Sequence, residues 1–227
     1  KWGYAAGKLA VDPARRYGPD FAKPDAAEIR KVRQQNGKRV FEAAQLRKLI
    51  EAAPQPLKAM LLLGINAAFY AADCAELPLD ALDLDRGFLD FPRPKTHIDR
   101  RCALWTETVE ALREVIAGRP DGAGDLVFVG PKGQPLVSGK ISVAASDLMK
   151  TLGMHKPGLG FATLRHVFRT KADSCMDFPA VRLTMGHSDN SIDAHYIETK
   201  TEDARLRAVA DHVHRWLYPA TEKGGDR

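Results

Sequence analysis

The sequence feature that most limits the fold is a nearly continuous apolar segment over Leu57–Tyr70, which reads LKAMLLLGINAAFY. Apolar residues fall on almost every face of a helix built from it, as is typical of a helix enclosed by other elements. Gly64 and Asn66 interrupt the segment, and it is shorter than the roughly 18 apolar residues that cross a bilayer. We therefore predict a buried helix at the centre of a globular core.

Segments with helical periodicity surround this apolar helix. In Asp203–Leu217, the residues Leu206, Val209, Val213 and Leu217 share one face. The other predicted helices are Phe41–Ala53, Glu107–Ile116, Ser138–Leu152 with Ser138 as its cap, a helix capped by Thr163, a short helix over Pro179–Thr184, and a turn or helix over Ser191–Tyr196.

Strand signals are few and short. The segments GFLDF at Gly87–Phe91 and RCALW at Arg101–Trp105 are joined by the polar link PRPKTHIDR, which predicts a β-hairpin. Leu126–Val129 is a third strand candidate. The predicted fold class is mainly α with a small antiparallel β-sheet.

Positive charge is concentrated at the start of the chain. Residues 1–60 contain 13 Lys or Arg and 6 Asp or Glu, a net charge of +7, so the remainder carries −2 of the total of +5. Such an asymmetry favours a surface that faces a polyanion such as DNA or RNA. The alternative is a solvated linker with surplus lysines, because residues 18–38 are rich in Pro, Gly and charge.

The chain has three cysteines, Cys74, Cys102 and Cys175, and none has CxxC spacing. An odd number of widely separated cysteines argues against a disulfide framework and against a structural zinc site. This usage favours a reducing, intracellular setting.

Reactive side chains are concentrated between Phe161 and Tyr196. Arg165 offers a forked guanidinium that can hold two phosphate oxygens, and His187 follows Gly186 at the end of a predicted helix. Tyr196 offers a phenol, which becomes a nucleophile when nearby positive charge favours the phenolate. Together they suit attack of a tyrosine on a phosphodiester, although each alone is compatible with a purely structural role.

These residues carry a resemblance to the tyrosine recombinase, or phage integrase, family. LRHVFRT, then MGHS, then a tyrosine nine residues after the histidine resembles the family pattern of His-x-x-Arg-His, Leu-Gly-His and Tyr. Upstream, Ala75–Leu77 resembles the family's Glu-Leu turn, and FPRPKTHIDRRCALW resembles the hairpin that carries its lysine. ARLRAVADHVHRWL resembles the C-terminal helix of planctomycete-type members, so the resemblance covers roughly residues 38–218.

The resemblance implies a role for each matched residue. Tyr196 is the nucleophile that forms a 3′-phosphotyrosine and releases a 5′-hydroxyl, and Arg165 clamps the phosphate. His187 donates a hydrogen bond to the scissile phosphate, and Lys95 is the general acid that protonates the leaving 5′-oxygen. Glu76 has a structural role. The resemblance implies no metal and no cofactor, because Arg, Lys and His neutralise the developing charge.

Two positions depart from the family pattern. The first family arginine falls at Asp73, where an anion would repel a phosphate, and the first histidine falls at Ala162, which has no proton to transfer. Removing a clamp arginine weakens phosphoryl transfer by about 10³ or more. Arg100, Arg101 and Arg169 are the candidates to replace the missing charge in space.

The resemblance also implies partners and a division of the chain. The expected partner is double-stranded DNA, bound by a homo-tetramer, and no membrane is involved. We expect the DNA-binding residues to include Arg100, Arg101, Arg169, Lys38 and Arg39. Residues 1–37 are expected to be the truncated end of an N-terminal core-binding domain with a linker, residues 38–218 the catalytic domain, and residues 219–227 a disordered tail.

Two alternative functions and the packing of the final helix stay open at the level of sequence. A catalytically impaired integrase relative would keep the fold and act as a DNA-binding module. A type IB topoisomerase would use the same chemistry without pairing two DNA duplexes. The final helix would either dock on a neighbouring subunit of the tetramer or pack against its own chain.

Overall fold

The computed structural model describes residues 7–8, 10–11, 25–35, 40–187 and 201–219. The chain divides into two compact units, Lys1–Arg39 and Val40–Arg227.

Helix α1, Ala26–Gln35, lies in the first unit and within the segment that the sequence predicted to be a linker. The Asp25 carboxylate accepts hydrogen bonds from the backbone N–H groups of Ala27 and Glu28, each at 2.7 Å. The helix forms here because a capping aspartate precedes ten residues that contain neither Pro nor Gly.

The described part of the second unit contains eight helices and three short strands. The helices are α2 Ala43–Ala52, α3 Leu57–Asn66, α4 Ala71–Ala75, α5 Thr106–Ala117, α6 Ser138–Thr151, α7 Phe161–Ala172, α8 Phe178–Met185 and α9 Asp203–Leu217. Short 3-10 turns cover Leu79–Ala81 and Asp173–Cys175. The strands are β1 Leu82–Asp83, β2 Phe88–Asp90 and β3 Arg101–Ala103. The predicted fold class is confirmed.

Helix α3 occupies the centre of the core, as its apolar sequence predicts. Nine of its ten residues are buried, and it packs against α5 and α7. A Cβ atom added at Gly64 would lie 2.5 Å from Leu164 Cδ1, so the close approach of α3 and α7 requires glycine.

The buried side chain of Asn66 ties three elements together at the end of α3. Its Nδ2 donates to the carbonyl of Ala103 at 3.0 Å. Its Oδ1 accepts from the backbone N–H of Trp105 and from Thr108 Oγ1, both at 2.9 Å. The polar interruption of the apolar segment is therefore a satisfied core residue, which holds β3 and α5 against α3.

Helix α3 ends four residues earlier than the sequence predicted. Ala68 has a φ of 56°, in the left-handed region that a residue with a Cβ rarely adopts, and this reverses the chain before α4 begins at Ala71. The Ala68 carbonyl accepts a hydrogen bond from Arg165, which is 97 residues away. A tertiary contact therefore helps to hold a turn that has no local glycine signal.

The three strands form one antiparallel sheet in the order β1-β2-β3. Leu89 pairs with Cys102 and Asp90 with Arg101, so β2 and β3 form the predicted hairpin. The third predicted strand, Leu126–Val129, is wrong: it makes only isolated bridges, from Leu126 to Pro78 and from Val129 to Pro135.

Two predicted helix caps also differ in the structure. Ser138 is the first residue of α6, and Val137 precedes it at the cap position. Helix α7 begins at Phe161, and Thr163 acts from its first turn, where Oγ1 accepts from the Gly160 N–H at 3.1 Å. The hydroxyl thus reaches back to the chain before the helix.

Helix α9 packs on its own chain through the apolar face that the sequence predicted. Leu206, Val209 and Val213 are at most 1% exposed. The Trp105 indole N–H donates to the Ala210 carbonyl at 2.9 Å, and Arg47 donates to the Leu217 carbonyl at 2.6 Å.

The cysteines carry free thiols, and Cys74 and Cys102 are buried. Burial raises the pKa of Cys102 to about 12. Over the described ranges, no helix combines the length and the apolar character that a membrane span needs.

Candidate active site

Arg165 lies in α7 with its side chain turned into the protein, and not on an open helix face. The residue is only 2% exposed. Its guanidinium donates to the carbonyls of Ala68 at 2.6 Å and Met185 at 2.7 Å. Burial lowers the pKa of Arg165. These two carbonyls hold the guanidinium in one orientation between the α3–α4 turn and the end of α8.

His187 meets this guanidinium directly. Arg165 Nη2 lies 2.7 Å from His187 Nε2, and the His187 backbone N–H donates to the Arg182 carbonyl at 3.0 Å. An arginine can only donate, so Nε2 accepts and the ring proton is assigned to Nδ1. Partial burial of the ring lowers the pKa of His187, and the positive charges of Arg165 and Arg93 lower it further. The neutral ring keeps its Nδ1–H as a donor for a ligand.

The loop between β2 and β3 carries Lys95 at its exposed tip. Arg93 N donates to the Ile98 carbonyl and His97 N to the Arg93 carbonyl, both at 2.8 Å, which closes the loop into a tight turn. Lys95 lines a cleft of about 490 Å³ together with Tyr70, Ala72, Asp73, Glu76, Arg93 and Pro94. The predicted general acid therefore sits on a cleft wall whose opposite side is formed by α4.

The Tyr70 ring joins this cleft to Arg165. The guanidinium carbon of Arg165 lies 4.9 Å from the ring centroid, and that of Arg93 lies 5.8 Å from it. Both distances are within the range of a cation–π interaction. The Tyr70 ring therefore contacts two guanidinium groups, and one of these, Arg93, also lines the cleft of Lys95.

Asp73, at the position of the first family arginine, is buried and pairs with Arg100. Asp73 is 4% exposed, and its Oδ2 accepts from the Tyr70 N–H at 2.6 Å. Its Oδ1 lies 3.4 Å from Arg100 Nη1. The acidic residue at the position of the first family arginine is thus paired with an arginine that immediately precedes β3.

Gly186 lies where α8 meets these arginines. Its φ of 58° is in the left-handed region, which ends the helix at this residue. A Cβ atom at this position would lie 3.1 Å from Arg93 Cβ and 3.4 Å from Arg100 Cβ. The glycine therefore permits both the turn and the close approach of the hairpin, and it places His187 beside Arg165.

Like Arg100, two further residues that we expected to bind DNA are paired with carboxylates. Arg101 makes a two-pronged contact with Asp203, with Nε 2.8 Å from Oδ1 and Nη2 3.0 Å from Oδ2, and it also contacts Asp90. Arg169 is exposed at the end of α7 and forms an ion pair with Asp173. Contact of Arg101 and Arg169 with DNA stays a prediction.

Three predicted site residues, Tyr196, Lys38 and Arg39, lie outside the described residues. Ala162 is exposed in the first turn of α7.

Tyr70 and Arg93 were not among the residues predicted for the site, whereas Arg100 was predicted to bind DNA and was one of three candidates to replace the missing charge. Tyr70 lies at the end of a segment that was predicted to be one helix, so nothing local marked it. Arg93 and Arg100 stand at the two ends of the predicted hairpin link, and two basic residues that flank a tight turn would have been the available signal.

The arrangement suits an anion more than a metal. The Arg165 guanidinium contacts the neutral His187, that of Arg100 lies beside the buried Asp73 carboxylate, and that of Arg93 lies over the Tyr70 ring. Such groups stabilise negative charge on phosphate oxygens. Within the described ranges, no cluster of three His, Cys, Asp or Glu side chains is placed to hold a metal ion.

Comparison of the sequence with known proteins identifies relatives. The phage integrase family model matches residues 39–203. Tyrosine recombinase XerC from Xylella fastidiosa (strain M23) is 29% identical over 161 residues, which cover 69% of this chain and 52% of that protein. The chain thus spans about half the length of the curated relatives it matches.

Solved structures have the same fold. The integrase from mycobacterium phage Brujita has a TM-score of 0.61 at 19% identity and covers 95% of this chain and 71% of its own. XerA recombinase has a TM-score of 0.59 at 22% identity, and the match covers 93% of this chain and 72% of the XerA chain. A lambda integrase dimer bound to a COC′ core site has a TM-score of 0.57 at 17% identity, and the match covers 89% of this chain and 58% of the lambda integrase chain.

Proposed function

We propose a function from one premise, that this chain belongs to the phage integrase family. The proposed activity is site-specific recombination, in which double-stranded DNA is cut and rejoined through a covalent bond to Tyr196. The observation that carries the proposal is the 2.7 Å contact between Arg165 and His187, two residues that the family pattern identifies and that are 22 positions apart in the chain.

The proposed reaction exchanges one phosphodiester for another. The Tyr196 phenol oxygen attacks the phosphorus, and its proton leaves to an acceptor. The bond from phosphorus to the 5′-oxygen breaks, and that oxygen takes a proton from Lys95. The products are a 3′-phosphotyrosine and a free 5′-hydroxyl, so no water is consumed, and attack by a 5′-hydroxyl in the reverse direction rejoins a strand.

Arg165 and His187 stabilise the charge on the phosphate oxygens in this proposal. Arg165 is held by two backbone carbonyls, so it needs little reorganisation when charge develops. His187 accepts from Arg165 through Nε2 and donates Nδ1–H to a non-bridging oxygen.

Lys95 is suited to the proton donor because it lies at the exposed tip of a structured turn and lines the cleft beside Tyr70 and Arg93. The ammonium group has the length and the freedom to reach a leaving oxygen that changes position during strand exchange.

The proposed partners are duplex DNA and further copies of this chain. Among proteins of similar fold, a lambda integrase dimer is bound to a COC′ core site and XerH is bound to a palindromic difH substrate. We propose that this chain acts on DNA as a homo-tetramer, with Lys38, Arg39, Arg101 and Arg169 contributing to DNA contact.

The first experiment is covalent trapping on a pool of nicked duplexes with randomised sequence. Wild type is expected to form an adduct that survives denaturation, and mass spectrometry of its peptides is expected to find the phosphodiester on Tyr196. Tyr196→Phe removes the nucleophile, so it is expected to abolish the adduct and to leave DNA binding unchanged.

The control is Lys150→Ala, which removes an exposed lysine paired with Asp147 on α6 and is expected to trap DNA as wild type does. Equal trapping by Tyr196→Phe would overturn the assignment of the nucleophile. Salt-sensitive DNA binding by wild type without any adduct would instead indicate a catalytically impaired DNA-binding module, for which Asp73 and Ala162 are the sequence rationale.

A further inference from the structure

Arg100 is the largest fully buried side chain of the described residues and has hydrogen-bonding groups without partners. Its side chain is 0% exposed, and neither Nη1 nor Nη2 has a hydrogen-bond partner. Burying charged N–H groups without acceptors is costly, so native structures rarely retain them without a reason. The arrangement indicates a missing acceptor.

The rest of the Arg100 side chain is firmly positioned. Its Nε donates to the Phe91 carbonyl at 2.9 Å. The guanidinium carbon lies 4.0 Å from the Phe69 ring centroid and 5.1 Å from that of Phe91. The plane is therefore fixed by two aromatic rings and one carbonyl, and only the Nη1 and Nη2 edge is left for another group.

Asp73 supplies charge but not a full set of hydrogen bonds. Its Oδ1 is 3.4 Å from Arg100 Nη1, and its Oδ2 is already used by the Tyr70 N–H. The carboxylate thus partly balances the charge of Arg100 without satisfying its N–H groups, which stay available to an incoming oxyanion.

Arg100 also lies beside the site described above. Its Cβ is 3.4 Å from the position of a Cβ on Gly186, the residue between Met185, which accepts from Arg165, and His187. The positive charges of Arg93 and Arg100 contribute to the lowered pKa of Arg165, although burial is the larger cause. The three guanidinium groups and one carboxylate leave an excess of positive charge in this cluster.

We propose that Arg100, the residue before β3, is the second guanidinium of the phosphate clamp. It supplies the positive charge that is missing at Asp73, the position of the first family arginine. This inference rests on the proposed function and names a residue that contacts the scissile phosphate. Asp73 positions Arg100 while the site is empty. Nη1 and Nη2 then donate to two non-bridging oxygens of the phosphate, which requires these buried nitrogens to be uncovered when a phosphate group binds.

A phosphate explains the cluster better than a carboxylate ligand does. A carboxylate carries one charge on two oxygens, whereas a phosphodiester that is being attacked gains negative charge on the oxygens that Arg165 and Arg100 face. A planar guanidinium fork can bind two such oxygens at once.

The site itself can be tested with inorganic phosphate as the probe, without any need for a DNA target. Nuclear magnetic resonance of arginine Nε–H groups is recorded during a phosphate titration of the full chain. The Arg100 and Arg165 signals are expected to shift together with one dissociation constant, whereas the signal of Arg113, an exposed residue paired with Asp85, stays in place. A shift of Arg165 without Arg100 overturns the proposal.

The matched variant is the double substitution Asp73→Asn with Arg100→Met. Met keeps an unbranched side chain between the two phenylalanine rings, and Asn keeps an acceptor for the Tyr70 N–H, so neither charge is left buried alone. Thermal unfolding is expected to show a folded protein. Its affinity for phosphate is expected to fall by about 10-fold or more, because charge-assisted hydrogen bonds are removed. Unchanged affinity in the folded variant overturns the proposal.

The same double variant separates this inference from the proposed function. On a duplex recovered from the trapping pool, its rate of adduct formation is expected to fall by about 10³-fold. Arg113→Ala is the control and is expected to react at the wild-type rate. A wild-type chain that forms no adduct refutes the proposed function, while the phosphate titration still decides whether Arg100 binds phosphate. A double variant that cleaves at the wild-type rate refutes the role of Arg100 alone.

Discussion

At the scale of single residues, the contact between Arg165 and His187 depends on the protonation state of the histidine. The guanidinium can only donate, so the 2.7 Å contact exists only while Nε2 of His187 carries no proton. Protonation would place two cations in contact and remove the acceptor. The protonation state of one histidine therefore controls whether the Arg165 side chain keeps this contact.

The pH dependence of His187 follows from this contact. Partial burial and the nearby arginines lower its pKa below the ordinary 6.5, so as the pH falls the unfolded chain binds this proton before the folded chain does. The free energy of unfolding is therefore unaffected by His187 well above pH 6.5 and decreases as the pH falls from there toward the folded-state pKa. Ring-proton NMR titration is expected to give a midpoint below 6.5.

Arg165→Gln provides the comparison for this titration. It removes a positive charge and keeps a polar side chain, so the midpoint of His187 is expected to rise, while burial of the ring keeps it from rising fully. A wild-type midpoint at or above 6.5 would contradict the assigned contact.

At the scale of elements, the β2–β3 hairpin and the end of α8 bring the basic groups together. The hairpin carries Arg93, Lys95 and Arg100, and Gly186 lets the hairpin approach α8. Helix α9 is fastened to the same sheet by the two-pronged contact of Asp203 with Arg101. Tyr196 lies in the sequence between His187 and α9. The end of α8 positions His187, and the contact with Arg101 of β3 positions the start of α9.

Substitution in α9 tests whether this helix packs on its own chain in solution. Leu206 is 1% exposed, and Leu206→Ala is expected to reduce the free energy of unfolding of the monomer by about 2–5 kcal/mol, because the truncation leaves a cavity. Chemical denaturation at low protein concentration measures the change.

Asp211→Ala is the matched control, since Asp211 is exposed on the same helix, and a change within about 0.5 kcal/mol is expected. If Leu206→Ala were as mild as the control, α9 would not be packed in cis in the monomer, and docking on a neighbouring subunit would become the better description.

At the scale of the whole molecule, charge is distributed unevenly. Residues 1–60 carry a net charge of +7, and the remainder carries −2. Several basic residues in the described part of the second unit are paired with carboxylates, as in the ion pairs of Arg101 with Asp203 and Arg205 with Asp177. Long-range attraction to DNA is therefore expected to depend strongly on the basic start of the chain.

Salt dependence of duplex binding tests this distribution. The logarithm of the binding constant is expected to fall linearly with the logarithm of salt concentration, and Lys38→Ala with Arg39→Ala is expected to reduce the slope by about 0.9 for each phosphate that the variant no longer neutralises. Fluorescence anisotropy over a salt series measures both slopes. Lys150→Ala serves as the control, and a double variant with the same slope as this control would exclude both residues from DNA contact.

The sequence alone determined the class of fold and the family. Helical periodicity placed α9 at Asp203–Leu217 as the structure has it, and two short strand segments joined by a polar link predicted the hairpin. The ordered spacing of Arg165, His187 and Tyr196 indicated phage integrases. These features are encoded locally or as motif spacing, which can be read along the chain without knowing what packs against what.

Only the tertiary structure decided how the basic site is assembled. The buried Arg165 guanidinium donates to the carbonyl of Ala68, which is 97 residues away in the sequence. Ala68 lies in the turn that ends α3 early. In the sequence, Asp73 departs from the family pattern, which has an arginine at this position. The fold places Arg100, 27 positions further along the chain, beside the Asp73 carboxylate. Both contacts depend on which elements pack against each other in the core. Periodicity and local propensity along the chain do not predict that packing.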